Sequence, residues 1–146
     1  DEEDLADACQ RLKERIGSYE GGFLLQEMVK GARELVIGMI RDPMFGPSVM
    51  FGLGGIFTEI LQDVSFRVAP VEMKDVKEMV REIRGHKILD AVRGLEAVDL
   101  DLLGRSLIAL GELGLEHEAI QEIDVNPLIV RGSRPVAVDA LIVLAG

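Results

Sequence analysis

The residues best suited to chemistry lie in the stretch 121–139. Glu122, Asp124 and Asn126 recur on a two-residue step, with Ile123 and Val125 between them. In an extended chain alternate side chains share a face. The three oxygen-bearing groups therefore line one face and the two apolar ones the other. Gly132-Ser133 suits a two-residue hairpin loop with glycine first, as in a type II′ turn. Such a loop pairs Arg131 with Arg134, and every opposed pair then has numbers adding to 265, which sets Asn126 across from Asp139. Directly opposed residues have Cβ atoms about 4.5–5.5 Å apart. An amide oxygen beside a carboxylate, with Asp124 next in the row, is hard-oxygen chemistry. It suits Mg²⁺, which takes one or two protein oxygens plus waters and substrate phosphates. The same groups could equally cap turns or lie solvated at a sheet end. Pro127 places Asn126 at the start of a strand rather than in its middle.

Other candidates carry less. Gly52-Leu53-Gly54-Gly55 could bring backbone N–H groups to a phosphate, or could be a tight strand connection; no Gly-Lys-Ser or Gly-Lys-Thr follows to make it a P-loop. Gln26-Glu27-Met28-Val29 ends an apolar run just before a glycine turn, where a flat heterocycle could meet backbone groups. A plain strand end explains it as well. Arg67, between Phe66 and Val68, could face a phosphate or a carboxylate such as Asp63. His86 and His117 have no Cys or His at zinc spacing and read as surface or structural residues. No Ser-His-Asp or Cys-His arrangement is arguable.

These residues need elements to hold them. Residues 1–16 repeat Leu5, Ala8, Cys9, Leu12 and Ile16 at helical steps before Gly17, predicting an amphipathic helix packed on a sheet. Short runs at 23–28, 34–40 and 48–51, joined by turns, predict an antiparallel meander. Residues 56–61 and 65–68 are further runs, the last ended by Pro70. Helical spacing returns at 72–84, where the methionines read as core filler, then in a short piece at 87–93. The clearest helix covers 99–113, with Asp99 as N-cap and Gly114 as its stop. Two strands, 120–130 and 136–144, close the chain. The order predicts one α+β domain over 1–146, a largely antiparallel sheet packed with helices.

Composition limits the partners. The 146 residues carry 16 Lys and Arg against 26 Asp and Glu, a net charge of −10. Sequence-independent nucleic-acid binding needs phosphate neutralisation by cations, and an anionic membrane surface attracts basic segments; neither fits. An anionic ligand here needs a metal ion or a local cluster of donors. Cys9 is the single cysteine, which fits a reducing, cytoplasmic setting. The acidic start does not resemble a secretory signal, and no apolar run approaches the ~20 residues of a membrane span. The chain begins without Met, so a fragment or processed product is expected.

Together the motifs resemble the carboxyl-terminal half of an ATP-grasp domain, in the branch found in ADP-forming acyl-CoA synthetases, as a beta subunit or part of a fused chain. The matching stretches run in order over about 22–141. They are Gln26-Glu27-Met28-Val29-Lys30-Gly31 with Glu34-Leu35-Val36-Ile37-Gly38, then Arg41-Asp42-Pro43-Met44-Phe45-Gly46-Pro47, and Phe51-Gly52-Leu53-Gly54-Gly55-Ile56-Phe57-Thr58-Glu59. Asp63-Val64-Ser65-Phe66-Arg67-Val68-Ala69-Pro70, Glu122-Ile123-Asp124-Val125-Asn126-Pro127-Leu128 and Val138-Asp139-Ala140 follow. Succinyl-CoA synthetase beta chains carry a similar Asn-Pro-Leu followed by a later Asp. The resemblance implies that Glu27 and Val29 meet adenine through backbone groups, that Glu34 takes the ribose hydroxyls, and that Asn126 and Asp139 bind Mg²⁺, with Asp124 a direct or neighbouring ligand. It implies that Arg67 and the 52–55 loop lie near the phosphates or the phosphoryl-transfer face. It implies ATP or ADP as the nucleotide, and the reversible conversion of acyl-CoA, ADP and phosphate to carboxylic acid, CoA and ATP through a phosphohistidine that neither His86 nor His117 matches. An amino-terminal lobe with its phosphate-holding lysine is absent upstream of residue 22. The intact enzyme is therefore expected to be a hetero-oligomer or fused chain with a CoA-binding alpha subunit or domain, and this chain alone is expected to be inactive. Two alternatives are a regulatory ATP-grasp-like module of a protein acetyltransferase and a non-catalytic subunit docking a CoA-binding partner.

Overall fold

The computed structural model describes residues 2–17, 21–55 and 63–146. The elements run α1 (Glu2–Ile16), β1 (Arg33–Asp42), β2 (Gly46–Leu53), β3 (Val64–Val68), α2 (Met73–Glu82), a 3₁₀ turn (His86–Leu89), α3 (Leu100–Glu116), β4 (Ile120–Arg131), β5 (Arg134–Ala137) and β6 (Leu141–Leu144). The strands form one sheet in the order β3-β2-β1-β4-β5, with β6 also paired to β4. Every pairing is antiparallel. The expected α+β class with an antiparallel sheet is what the chain adopts.

One face of this sheet is closed by helices. Leu35, Ile37 and Met39 of β1, Val49 and Phe51 of β2, and Ile123 and Val125 of β4 form a single core with Val76 and Met79 of α2 and Leu103 and Leu107 of α3. Phe51 is fully buried, worth roughly 2–3 kcal/mol over exposure. Asp99 caps α3 by accepting from the Leu102 N–H at 2.9 Å. A capping box of Glu72 and Asp75 starts α2. The α3 helix runs past the expected stop at Gly114, because this glycine belongs to its buried face rather than its end. A Cβ there would sit 2.7 Å from Pro47 Cβ, so its absence lets the helix lie close on the sheet. Arg41 ends the helix instead, donating to the Gly114 and His117 carbonyls at 2.6 and 3.0 Å and to Ile120 O at 2.8 Å.

Three further expectations differ. Residues 23–28 form no strand; Leu24, Leu25 and Met28 are largely exposed, because no neighbouring strand in the described residues offers them a ladder. The α1 helix forms where predicted but buries none of its residues, so it does not pack on the sheet. The segment expected as one strand over 136–144 is two, β5 and β6, separated by residues 138–140. The 56–61 run lies outside the described residues.

Candidate functional site

The closing hairpin has the expected register. Gly132 takes a φ of +63° while Ser133 stays out of the left-handed region, as a type II′ loop requires. Arg131 opposes Arg134 and Leu128 opposes Ala137, and beyond the break Asp124 opposes Leu141 and Glu122 opposes Val143. All these pairs add to 265, so Asn126 and Asp139 occupy matching places in the gap between β5 and β6. No ladder pairing joins them directly. The Val138 N–H still donates to Pro127 O at 3.1 Å, holding the two segments together at this point.

Asn126 is in the middle of β4, not at a strand start. The ladder to β1 shifts here: Val125 opposes Ile37 and Leu128 opposes Leu35, so two residues of β4 face Val36 alone. Pro127 lacks an N–H and is accommodated at this bulge. Burial alternates through the row, with Ile123 and Val125 in the core and Glu122, Asp124 and Asn126 on the other side. The oxygen row expected from spacing therefore lines the face that no described helix covers.

Gly38 sits opposite Asp124 on one side and Met50 on the other. A Cβ at Gly38 would lie 2.7 Å from Ile123 O, so the strands close up only because this position is bare. The result is a hollow of about 160 Å³ walled by Ile40, Met50, Phe66, Glu122 and Asp124. Burial pushes the Asp124 carboxyl above the usual range, and the neighbouring charges of Glu122 and Asp139 push the same way. No Lys or Arg among the described residues pairs with any of these three acids. Asp139 Oδ1 accepts from the Ala140 N–H at 2.9 Å.

Glu34 stands on the same open face, four residues before Gly38 on β1, a span of about 13 Å along an extended strand. It lines a second hollow, of about 300 Å³, with Gly31, Ala32, Leu53, Gly54, Gly55 and Ile88. The glycines come this near for a backbone reason. The Gly54 N–H donates to Glu34 O at 2.7 Å, and a Cβ on Gly54 would meet Glu34 C at 2.9 Å. Glu27 and the half-buried Val29 lie in the irregular segment leading to Gly31. Glu27 is tied to the far hairpin by an ion pair with Arg131 at 2.6 Å.

Arg67 stands apart. Phe66 lines the open-face hollow, so its neighbours Ser65 and Arg67 turn to the helices. Arg67 grips Glu82 of α2 through both terminal nitrogens, at 2.6 and 3.0 Å, and reaches Glu78 at 3.4 Å. Hydrogen bonding from Arg67 and Ser65 holds the Glu82 carboxyl below its ordinary range. Asp63 does not meet Arg67 and accepts instead from the Arg84 and Gly85 N–H groups at 2.7 and 2.8 Å. His86 Nδ1 lies 3.0 Å from Ile83 O, and His117 caps α3 through its backbone N–H.

Two important positions were not singled out from sequence. Gly38 carried a signal, a glycine inside an apolar strand run. Arg33, 3% exposed, carried none. Its guanidinium donates to the carbonyls of Ile88, Asp90, Glu96 and Gly132, at 3.1, 3.4, 2.6 and 3.0 Å. It thereby fixes the Ile88 wall of the Glu34 hollow to the hairpin tip.

The ATP-grasp domain family matches residues 1–144. The beta subunit of acetate–CoA ligase (ADP-forming) I from Pyrococcus furiosus is 43% identical over 148 residues, covering 98% of this chain and 64% of that subunit. Acetate–CoA ligase (ADP-forming) I of Archaeoglobus fulgidus is 45% identical over 123 residues, covering 84% of this chain and 18% of that protein. Among solved structures, the dinucleotide-forming acetyl-coenzyme A synthetase 1 of Ca. Korarchaeum cryptofilum superposes with a TM-score of 0.88 at 42% identity, covering 99% of this chain and 65% of that one. That structure is in complex with coenzyme A and Mg-AMPPCP, with a phosphohistidine segment pointing towards the nucleotide binding site. The chain spans just under two thirds of the Pyrococcus subunit and of the Korarchaeum chain. No described helix is long and apolar enough to cross a membrane.

Proposed function

Because the chain belongs to the ATP-grasp family, we propose that it is the carboxyl-terminal lobe of the ATP-grasp domain of an ADP-forming acyl-CoA synthetase, and that its open sheet face carries Mg²⁺ and the nucleotide. The observation behind this reading is that Glu34, which borders the glycine-walled hollow, and the uncompensated oxygen row at Asp124 and Asn126 lie on the same face of the sheet, the one that no described helix covers. The two ends are separated by a distance that an extended nucleotide can bridge.

In this reading the backbone at Glu27 and Val29 borders the base, Glu34 accepts from the ribose hydroxyls, and Asn126 and Asp139 hold the metal, with Asp124 beside them. The donor set fits a hard cation, being an amide oxygen and carboxylates without cationic partners. No three His, Cys, Asp or Glu groups form a metal cage among the described residues. Mg²⁺ takes only one or two protein oxygens and keeps waters and phosphate oxygens in its shell. When bound, Mg²⁺ would neutralise phosphate charge and align the phosphates for in-line transfer. The protein groups orient the nucleotide and leave the phosphoryl acceptor to come from elsewhere, since His86 and His117 lie off this face.

The parent reaction is acyl-CoA, ADP and phosphate to carboxylic acid, CoA and ATP through a phosphohistidine. The amino-terminal lobe and a CoA-binding alpha subunit or domain would complete the site. The exposed apolar stripe of α1 and the exposed 23–28 segment are surfaces that such a lobe would cover. Asp139→Asn in the complete enzyme is expected to weaken apparent Mg-ATP affinity about 10–100-fold without moving the unfolding transition. A Mg²⁺ titration of activity superimposable on that of the unmodified enzyme would reject the assignment.

A further inference from the structure

A third cavity lies in the helical layer, on the other side of the sheet from the nucleotide face. It measures about 480 Å³, within the ~300–1,000 Å³ range of small-molecule sites. Val80 of α2, Leu89 of the 3₁₀ turn and Val98, all buried, supply its apolar lining. Lys77 and Arg81 supply its basic side, His86 lies at its edge, and Asp90 is its one carboxylate. It shares no lining residue with the Glu34 hollow or with the Gly38 hollow.

The charge arrangement on α2 is what points to a ligand. Lys77 and Arg81 are four residues apart, so they share one side of the helix. Like charges at that spacing cost about 0.2–0.5 kcal/mol. Neither has an ion pair or hydrogen-bond partner among the described residues. The acids of the same helix face the other way, with Glu78 and Glu82 both taken by Arg67. Cations and carboxylates are thus segregated on one short helix, and the cations border an apolar hollow. His86 adds an imidazole edge whose Nδ1 is engaged with Ile83 O. In a chain of net charge −10 such a basic rim is a local inversion of the molecule's field.

We infer that this hollow binds a small anionic amphiphile, a phosphate or carboxylate head held by Lys77 and Arg81 with a short apolar tail against Val80, Leu89 and Val98. The head gains charge-assisted hydrogen bonds and the tail removes apolar surface from water. Both halves are needed, because the rim is open to solvent and screens the ionic contacts.

The test is calorimetric titration of the complete protein with octyl phosphate and with octanoate, the nucleotide face first saturated with Mg-ADP. One saturable site is expected for at least one of the two, and the tighter of them identifies the head group. The double variant Lys77→Glu with Arg81→Glu is expected to weaken that binding at least tenfold while leaving Mg-ADP affinity unchanged. The milder pair Lys77→Gln with Arg81→Gln gives a smaller loss in the same direction. 1-Octanol and inorganic phosphate, each lacking one half of the chemistry, are expected to bind at least tenfold more weakly than the better amphiphile. Absence of a saturable site, equal binding by the charge-reversed protein, or equal binding of inorganic phosphate would overturn the inference. These outcomes do not depend on the roles given to Asn126 and Asp139.

Discussion

The two faces of the sheet treat charge in opposite ways. On the face covered by α2 and α3, the polar side chains that the strands and their flanks present are consumed. Arg33 answers four carbonyls, Arg41 ends α3, Asp63 takes two backbone N–H groups and Arg67 clamps Glu82. On the open face, the charges of Glu122 and Asp139 reach Asp124 and no cation among the described residues pairs with any of the three, beside partly exposed Ile40 and Phe66. The first pattern builds a fold. The second leaves an electrostatic cost standing, a pattern that clusters at functional sites. Residue type alone does not separate the two: Asp63 and Asp124 are both aspartates beside or within strands, and only their surroundings differ.

Breaking the closed face is expected to have the largest effect. Arg33→Met leaves buried carbonyls without a donor and is expected to cost about 3 kcal/mol of unfolding free energy. Urea denaturation measures it; a loss below ~0.5 kcal/mol would mean that water replaces the guanidinium. Arg67→Ala sharpens the contrast between faces. As a partly exposed ion pair it is expected to cost no more than ~1 kcal/mol and to leave kcat within about threefold. A hundredfold fall in kcat at unchanged stability, about 2.7 kcal/mol, would move Arg67 to the phosphoryl-transfer machinery.

The smallest effect belongs to Asp124. Its folded carboxyl has a raised pKa, so its contribution to stability is greatest below the unfolded value of 3.8 and is lost as pH rises through the folded value. Asp124→Asn in metal-free protein is therefore expected to raise the melting temperature slightly at pH 7 and not at pH 3. An equal rise at both pH values would show that charge crowding is not the cause.

Much of the fold was legible because its signals are local. The Gly132-Ser133 loop fixed the hairpin register, and with it the matching places of Asn126 and Asp139, even though the strand between them breaks. Asp99 marked the start of α3. Its end lies beyond Gly114, the expected stop; a glycine on a buried face and a glycine after a helix look alike in one dimension. The 23–28 run reads as a strand by composition, but a strand exists only with a partner. Arg67 could not be assigned to a face from spacing, because the strand's alternation allows either side until α2 supplies Glu82. Pro127 misled for a related reason: a bulge, which has no sequence signature of its own, lets proline sit mid-strand.

The most direct test of the open-face account is a double-mutant cycle on Mg-ATP binding by the complete enzyme, using Asn126→Ala and Asp139→Asn. If both side chains hold one ion, each single change weakens binding and the second change adds little once the first is made, giving a coupling of at least ~1 kcal/mol. Additive losses within ~0.3 kcal/mol, or no loss from either change, would contradict a shared metal site on this face.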